Sequence, residues 1–362
     1  MPDIEEVDKK FVFDMPVLPD NVFLLRVTVL RDATLLSFGI SHRLADATAQ
    51  HQVIKAFCDL LSGNSIPELI LPPDARGTNM SELVIPDTKA SDIPSVDYKT
   101  HQDNFMGGFF PLVKLVLKTL WTEVLRMIGL RERLEGKFVY LPGPWVNGVR
   151  NAALETLKTQ IQPKQHDGVE PTKNDIITTW LLKTIHDRVQ RSDDPVDFYG
   201  PLNYRSAIPP PPAGTTWIHD SVGPLRHQLT VAQIQTESIA TFARGLRLTT
   251  LRYKQASSIR EYLRFCEDHV TETLIPRVRK PSWNLPLTVV SSWTTLDFAA
   301  LDFSGAAPEK KEAKVIFVNP IARGMRSGFW PSAFTIKDKD GGYWVRAYMT
   351  PSAWQHLYHR SH

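Results

Sequence analysis

The sequence predicts an α/β fold of the α+β kind, built from about two domains. Helix-period and strand-period stretches alternate along the chain without the βα regularity or the Gly-rich phosphate loops of a dinucleotide fold. The chain has 362 residues, 42% of them apolar, which suits two domains with a substantial core. A Pro-rich polar stretch over 66–104 shows little periodicity and reads as a crossover between two lobes.

The elements follow in order. Residues 1–20 are polar and punctuated by proline. Val22 to Val29 reads as a buried strand, Arg31 to Thr34 as a turn, and Leu35 to Ile40 as the return strand of a hairpin. Asp46 is then a helix N-cap, and a helix runs to Leu61 with Val53, Ile54, Phe57, Leu60 and Leu61 on one face. Ser62-Gly63-Asn64 stops it. Phe105 to Leu130 is the most hydrophobic window, but Lys114, Lys118, Glu123 and Arg126 interrupt it. It reads as an amphipathic helix over 111–128, started by Pro111, that docks on its own protein; a peripheral membrane contact is the alternative.

Lys137 to Leu141 looks like a strand and Val149 to Ile161 a helix. Pro171 opens a strong helix capped by Thr172 or Asn174. Asp197 to Ser206 is strand-like and runs into Pro209 to Pro212, which cannot continue a ladder. Residues 231–275 are largely helical. Strands are expected at Leu285 to Trp293, Lys314 to Val318 and Tyr343 to Met349, with a terminal helix over Pro351 to Tyr358.

Composition narrows the function. The net charge of +3 comes from 42 basic and 39 acidic residues, well mixed, so no basic stripe suits nucleic acid. Cys58 and Cys266, the only cysteines, read as reduced core thiols of a cytoplasmic protein. No metal-ligand spacing appears, and the acidic, polar start Met1 to Glu6 shows no signal peptide. The stretch Ser41-His42-Arg43-Leu44-Ala45-Asp46-Ala47 draws the eye, because a histidine at a strand-to-helix junction can be aimed into a cleft by a rigid scaffold. The spacing alone is a weak signal among 11 histidines.

Five separated pieces, in one order, give that stretch a context. They are LSFGISHRLADA (36–47), PTKNDIITTWLLK (171–183), LNYRSAIPP (202–210), VVSSWTTLDFAALDFSGAAP (289–308) and GGYWVRAYM (341–349). Together they make the chain resemble the BAHD-type acyl-CoA-dependent acyltransferases, the fungal branch more than the plant one. The resemblance implies two chloramphenicol-acetyltransferase-like lobes, mixed sheets flanked by helices, with an active-site channel between them. It divides the chain into a first lobe over 1–82, joined by part of 290–335, a crossover connection and amphipathic helix over 83–135, and a second lobe over 136–362. Two departures stand out. His42 follows only 41 residues, so the first lobe is N-terminally short for the family. The family's Asp-Phe-Gly-Trp-Gly loop is here Asp302-Phe303-Ser304-Gly305-Ala306, followed by Pro308, without its tryptophan.

Acyl transfer from a thioester needs a base, donors for the tetrahedral oxyanion, and a channel that excludes water. His42 is the candidate base; its unperturbed pKa of about 6.5 leaves the imidazole mostly neutral near pH 7. Asp46 fits a Ser-His-Asp template as an orienting carboxylate. However, a residue one turn beyond a junction histidine tends to point away from a cleft, and the resemblance implies instead a structural ion pair with Arg205 of Asn203-Tyr204-Arg205. Ser291 and Trp293 match the family strand that faces the reacting carbonyl and carry suitable donors; Trp293 also reads as a lobe-interface anchor. The resemblance implies a structural role for Asp302 in its loop, and Ser41 reads as a strand-end hydrogen bonder, with no Gly-x-Ser-x-Gly elbow around it. Arg252, Lys254, Arg279 and Lys280 are candidate cations for the donor's phosphates, none of them singled out.

The expected function is therefore transfer of an acyl group, acetyl by preference, from acyl-CoA (acetyl-CoA) without a metal. The acceptor is a hydroxyl or amine of a small terpenoid, alkaloid or polyketide. The protein is expected to be monomeric, and the alternative is a family member that binds or shapes a metabolite without acyl transfer.

Overall fold

A computed structural model describes residues 23–42, 44–73, 77–87, 93–96, 105–106, 109–130, 132–160, 168–187, 189, 193, 195–270, 275–276, 288–307, 312–321 and 331–360. β1 (Phe23–Val29) and β2 (Thr34–Ile40) form an antiparallel hairpin that pairs Val29 with Thr34 and Phe23 with Ile40. Its return strand delivers Ser41 and His42 to the start of α1 (Ala47–Leu61). Asp46 caps that helix from an extended backbone, its carboxylate accepting the Ala49 N–H at 3.0 Å. The first N–H groups of a helix have no partner within it, so an acceptor at this position fixes where the helix begins.

The inward face of α1 builds a core of its own. Ile54 and Cys58 pack with Phe298 and Leu301, and Trp293, Phe303, Val315 and Val318 close around them. Cys58 is buried as expected, and burial pushes its thiol up to about 11. The Asp302–Ala306 loop meets the end of α1 so closely that a Cβ on Gly305 would lie 2.3 Å from the Leu61 carbonyl oxygen and 2.7 Å from the Ser62 nitrogen. Both obstacles are backbone and cannot swing aside. Gly305→Ala is expected to lower stability by about 1–3 kcal/mol, the usual cost of overpacking, read as a shift in the urea midpoint. An unchanged midpoint would show that the loop is free to back away.

Most of the remaining described strand residues form a six-stranded mixed sheet. Its members are β3 (Glu135–Leu141), β4 (Pro195–Asn203), β5 (Val222–Thr230), β6 (Thr288–Ser292), β7 (Ser332–Lys337) and β8 (Tyr343–Met349), in the order β3-β8-β7-β6-β4-β5. β6 runs parallel to both β4 and β7, and the remaining pairs are antiparallel. The described helices that accompany it are α2 (Phe109–Met127), α3 (Gly143–Gln160), α4 (Lys173–His186), α5 (Val231–Thr236), α6 (Ile239–Tyr253), α7 (Ala256–Asp268) and α8 (Pro351–Arg360). Ile177, Leu181 and Leu182 of α4 and Phe242 and Leu246 of α6 pack with Val196, Phe198, Val290 and Val345 of the sheet in one buried cluster. The helix predicted to open after Pro171 starts with a full capping box: Thr172 accepts from the Asp175 N–H while the Asp175 carboxylate accepts from the Thr172 N–H. Thr172, not Asn174, is the cap.

Several expectations are corrected. Lys314 to Val318 is not a strand: it makes a single bridge, Asp302 to Lys314, and spends Val315 and Val318 on the α1 core. β5 and β7 carry no strand signal that the sequence pattern revealed. β5 holds Pro224, which an edge strand tolerates, and its Arg226, opposite Tyr199 in the ladder, forms a diagonal ion pair with Asp197 at 2.8 Å with both side chains buried. α3 begins six residues before Val149, with Pro144 in its first turn, where a missing N–H costs nothing. The described side chains of α2 divide by face, with Leu125 half-buried. Phe109, Phe110, Leu117, Trp121 and Met127 are exposed, whereas Thr122 and Arg126 are buried. No described helix is long and apolar enough to cross a membrane.

Candidate active site

The site is built on the junction between β2 and α1. The Leu44 and Ala45 N–H groups both donate to the Ser41 carbonyl, at 3.0 and 3.2 Å, so the chain turns tightly there and presents His42 at its outer corner. Ser41 thus acts through its backbone. The His42 side chain is 69% exposed, and its Nδ1 lies 3.3 Å from Oδ2 of Asp220. The hydrogen bond to Asp220 raises the imidazole pKa above 6.5, outweighing the opposing effect of burial.

Asp46, four residues on, is turned inward, with its side chain 2% exposed. Four N–H donors occupy it. Arg205 Nη1 reaches Oδ2 at 2.6 Å and Nη2 reaches Oδ1 at 2.9 Å; the Ala49 N–H adds 3.0 Å and the Ser221 N–H 2.9 Å. A carboxylate has about four acceptor positions, so this one is saturated. Burial by itself works to raise its pKa, but the donors and the Arg205 charge prevail and hold it below 3.8. The ion pair expected from the resemblance is therefore present, and Asp46 is not hydrogen-bonded to His42.

Asn203 completes the clamp. Its Oδ1 accepts the Arg205 N–H at 2.9 Å, and its Nδ2 donates to Thr48 Oγ1 of α1 at 3.1 Å. The Asn-x-Arg segment at the end of β4 thus grips the first turn of α1 with two side chains. Arg205 Nη2 also donates to the His219 carbonyl at 2.7 Å, which carries the clamp to residues 219–221. Those residues went unnoticed in the sequence. The available signal was the succession His219-Asp220-Ser221 after a proline run, three residues able to exchange protons side by side. In the structure the buried His219 ring is hydrogen-bonded to Ser221 Oγ and meets Trp217 edge-on.

Ser291 and Trp293 come to the same end of the sheet. β4 and β6 are parallel, with Phe198 opposite Thr288 and Tyr199 opposite Val289, so their C-terminal ends emerge side by side. Such ends are where open α/β sheets place their ligands. The Trp293 indole N–H donates to Ser291 Oγ at 3.1 Å, while its ring stacks on Phe298 and meets Phe334 edge-on. The Trp293 ring is packed among aromatic neighbours, and its one donor is spent on Ser291. Asp302 is exposed; hydrogen bonding to the Ser304 hydroxyl and to the Ser304 N–H, the latter at 2.8 Å, lowers its pKa, and it is bonded to none of the other site residues. Lys254 follows α6, where burial lowers its pKa, with Arg247 and Asp175 as charged neighbours. Arg279 and Lys280 lie outside the described residues. Among the described residues no group of three or more His, Cys, Asp or Glu is placed to hold a metal ion.

No protein-family model matches the chain. The acetyltransferase peniE of Penicillium patulum is 38% identical over 374 residues, covering 97% of this chain and 76% of its own length. Among solved structures, TRI101 of F. sporotrichioides, complexed with coenzyme A and T-2, superposes with a TM-score of 0.56 at 14% identity, over 98% of this chain and 75% of its own. Vinorine synthase gives 0.57 at 13% identity, over 98% of this chain and 70% of its own. The two structures share the fold of this chain, and the fungal relative aligns with 97% of it.

Proposed function

Because the chain belongs to the BAHD-type acyl-CoA-dependent acyltransferases, in their fungal branch, we propose that it moves an acyl group from acyl-CoA to a hydroxyl or amine of a secondary metabolite, with His42 as general base. One observation carries the reading. The Asp46–Arg205 clamp holds the His42 turn while leaving the imidazole itself outside the clamp and open to a substrate. The relative's name, acetyltransferase, makes acetyl the preferred group, and the coenzyme A in the TRI101 complex supports an acyl-CoA donor.

Nδ1 is turned to Asp220, and in this scheme Nε2 serves the reactant. It takes the proton of the acceptor as the acceptor oxygen or nitrogen bonds to the thioester carbon. The tetrahedral intermediate then collapses, the C–S bond breaks, and the departing thiolate receives that proton to leave as the free thiol of coenzyme A. Every proton is accounted for, and the enzyme returns to its starting state. In this scheme the Ser291 hydroxyl donates to the developing oxyanion while its oxygen accepts from Trp293. Losing one such donor typically costs about 10²–10³-fold in kcat. Ser291→Ala is expected to fall in that range with the melting temperature nearly unchanged, in steady-state kinetics beside a thermal scan. A full kcat would remove Ser291 from the chemistry.

The acceptor class we propose is a lipophilic terpenoid, alkaloid or polyketide, and the working form a cytoplasmic monomer. The test is incubation of the purified protein with acetyl-CoA and a panel of such alcohols and amines, following free thiol and product mass. Acceptor-dependent release of thiol with a matching acylated product is expected. Binding of a metabolite with no transfer from any acyl-CoA would overturn the reading in favour of a ligand-shaping protein.

A further inference from the structure

The residue that touches His42 is not the one its motif supplies. Asp46 is saturated by four N–H donors, and Arg205 neutralises its charge at 2.6 Å. The carboxylate beside the imidazole is Asp220, 178 positions along the chain from His42, at 3.3 Å. Two exposed side chains that meet by chance make a pair of little worth, and at 34% and 69% exposure this one is open to that description. What sets it apart is how its backbone is held. The His219 carbonyl accepts from Arg205 Nη2, the Ser221 N–H donates to Asp46 Oδ2, and the Ser221 carbonyl accepts from the Tyr204 N–H at 3.1 Å. The residues on both sides of Asp220 are thus fastened to the clamp that holds the His42 turn. The side chain is fixed as well: the Val222 N–H donates to Oδ1 at 3.3 Å, which leaves Oδ2 for the imidazole.

We propose that Asp220 is a positioning residue of the acyl-transfer site, its carboxylate accepting the Nδ1–H of His42 so that Nε2 takes the acceptor's proton and the resulting imidazolium is stabilised. The inference rests on the general-base role of His42. It gives the Asp46–Arg205 clamp a second task, since the same ion pair sets the base and its partner in register. Among the described residues the charged groups facing the imidazole are Asp220 and Asp46, with Arg205 beyond Asp46; the His219 ring beside them is hydrogen-bonded to Ser221 and meets Trp217. Asp220 therefore governs the titration of His42, and the acidic limb of kcat/KM is expected above the ordinary histidine value of about 6.5.

The test uses Asp220→Asn, Asp220→Glu, His42→Ala and the double variant His42→Ala/Asp220→Asn. Asp220→Asn is expected to lower kcat, by less than the about 10²–10⁴-fold that removal of the base costs, with KM for acyl-CoA nearly unchanged. Its acidic limb and the NMR titration of His42 should both move to lower pH. Asp220→Glu should restore part of both, and the double variant should be no slower than His42→Ala. If His42→Ala keeps its turnover, the general-base reading fails and takes this one with it. If His42→Ala is inactive while Asp220→Asn keeps its kcat, its pH profile and the His42 titration, the base stands and Asp220 is a surface neighbour only. Should Asp220→Asn fail to fold, the wild-type titration decides alone, and an imidazole titrating at or below about 6.5 overturns the proposal.

Discussion

Asp46→Ala is expected to cost about 3–5 kcal/mol of stability, enough to drain the soluble folded fraction, because it breaks a buried ion pair from one side. The Arg205 guanidinium would lose its two contacts at 2.6 and 2.9 Å, and the Ala49 and Ser221 N–H groups would lose their acceptor. An unsatisfied buried donor carries its own desolvation cost, so the effect exceeds that of a helix cap, which is about 1 kcal/mol. The same interactions predict a pH dependence. The Asp46 carboxyl titrates below its ordinary 3.8 in the folded chain. Its contribution is therefore present above that value and lost as pH falls through the folded one. Urea denaturation from pH 7 into acid should show wild type losing stability that Asp46→Asn, lacking the titrating group, does not have to lose. A well-folded Asp46→Ala with an unchanged melting temperature and no activity would overturn the structural role and put Asp46 in the chemistry.

Local signals were the legible part of this chain. The Asp46 cap, the Thr172 capping box and the Tyr343–Met349 strand each depend on residues within a few positions, where polar side chains and alternation act directly on the backbone. The Asp46–Arg205 pair spans 159 positions, and no spacing could have announced it; it was expected only through the resemblance. Asp220 had no such help. It sits between a proline run and an edge strand whose own Pro224 hides it from period counting, and it acquires its position through bonds to Asp46, Arg205 and Tyr204. On α2 a stripe of Phe, Leu and Trp signals that a face can be buried, not which one: Phe109, Phe110, Leu117 and Trp121 are exposed, and Thr122 and Arg126 are buried.

The sheet explains why these distant pieces meet. β6 lies parallel to β4, so Ser291–Trp293 and Asn203–Arg205 leave the sheet in the same direction. Both then meet α1, Asn203 through Thr48 and Trp293 through the cluster that holds Ile54 and Cys58. The α1 helix is thus gripped at its first turn by β4, along its length by the residues after β6, and at its end by Gly305. With the helix held at three places, the position of the turn before it follows, and that turn carries His42.

His42→Ala should therefore behave as the opposite of Asp46→Ala. A general base contributes about 10²–10⁴-fold, and kcat should fall by that amount with KM for acyl-CoA nearly unchanged, in acceptor-dependent thiol release. Stability should barely respond, since the side chain is 69% exposed and its partner Asp220 remains in contact with water. The two residues of one motif would then separate cleanly: one change that costs the fold, and one that costs the chemistry and leaves the fold alone. Equal turnover by His42→Ala and wild type would end the general-base mechanism. A large loss of stability in His42→Ala would place the imidazole in the clamp, where the geometry gives it no bond.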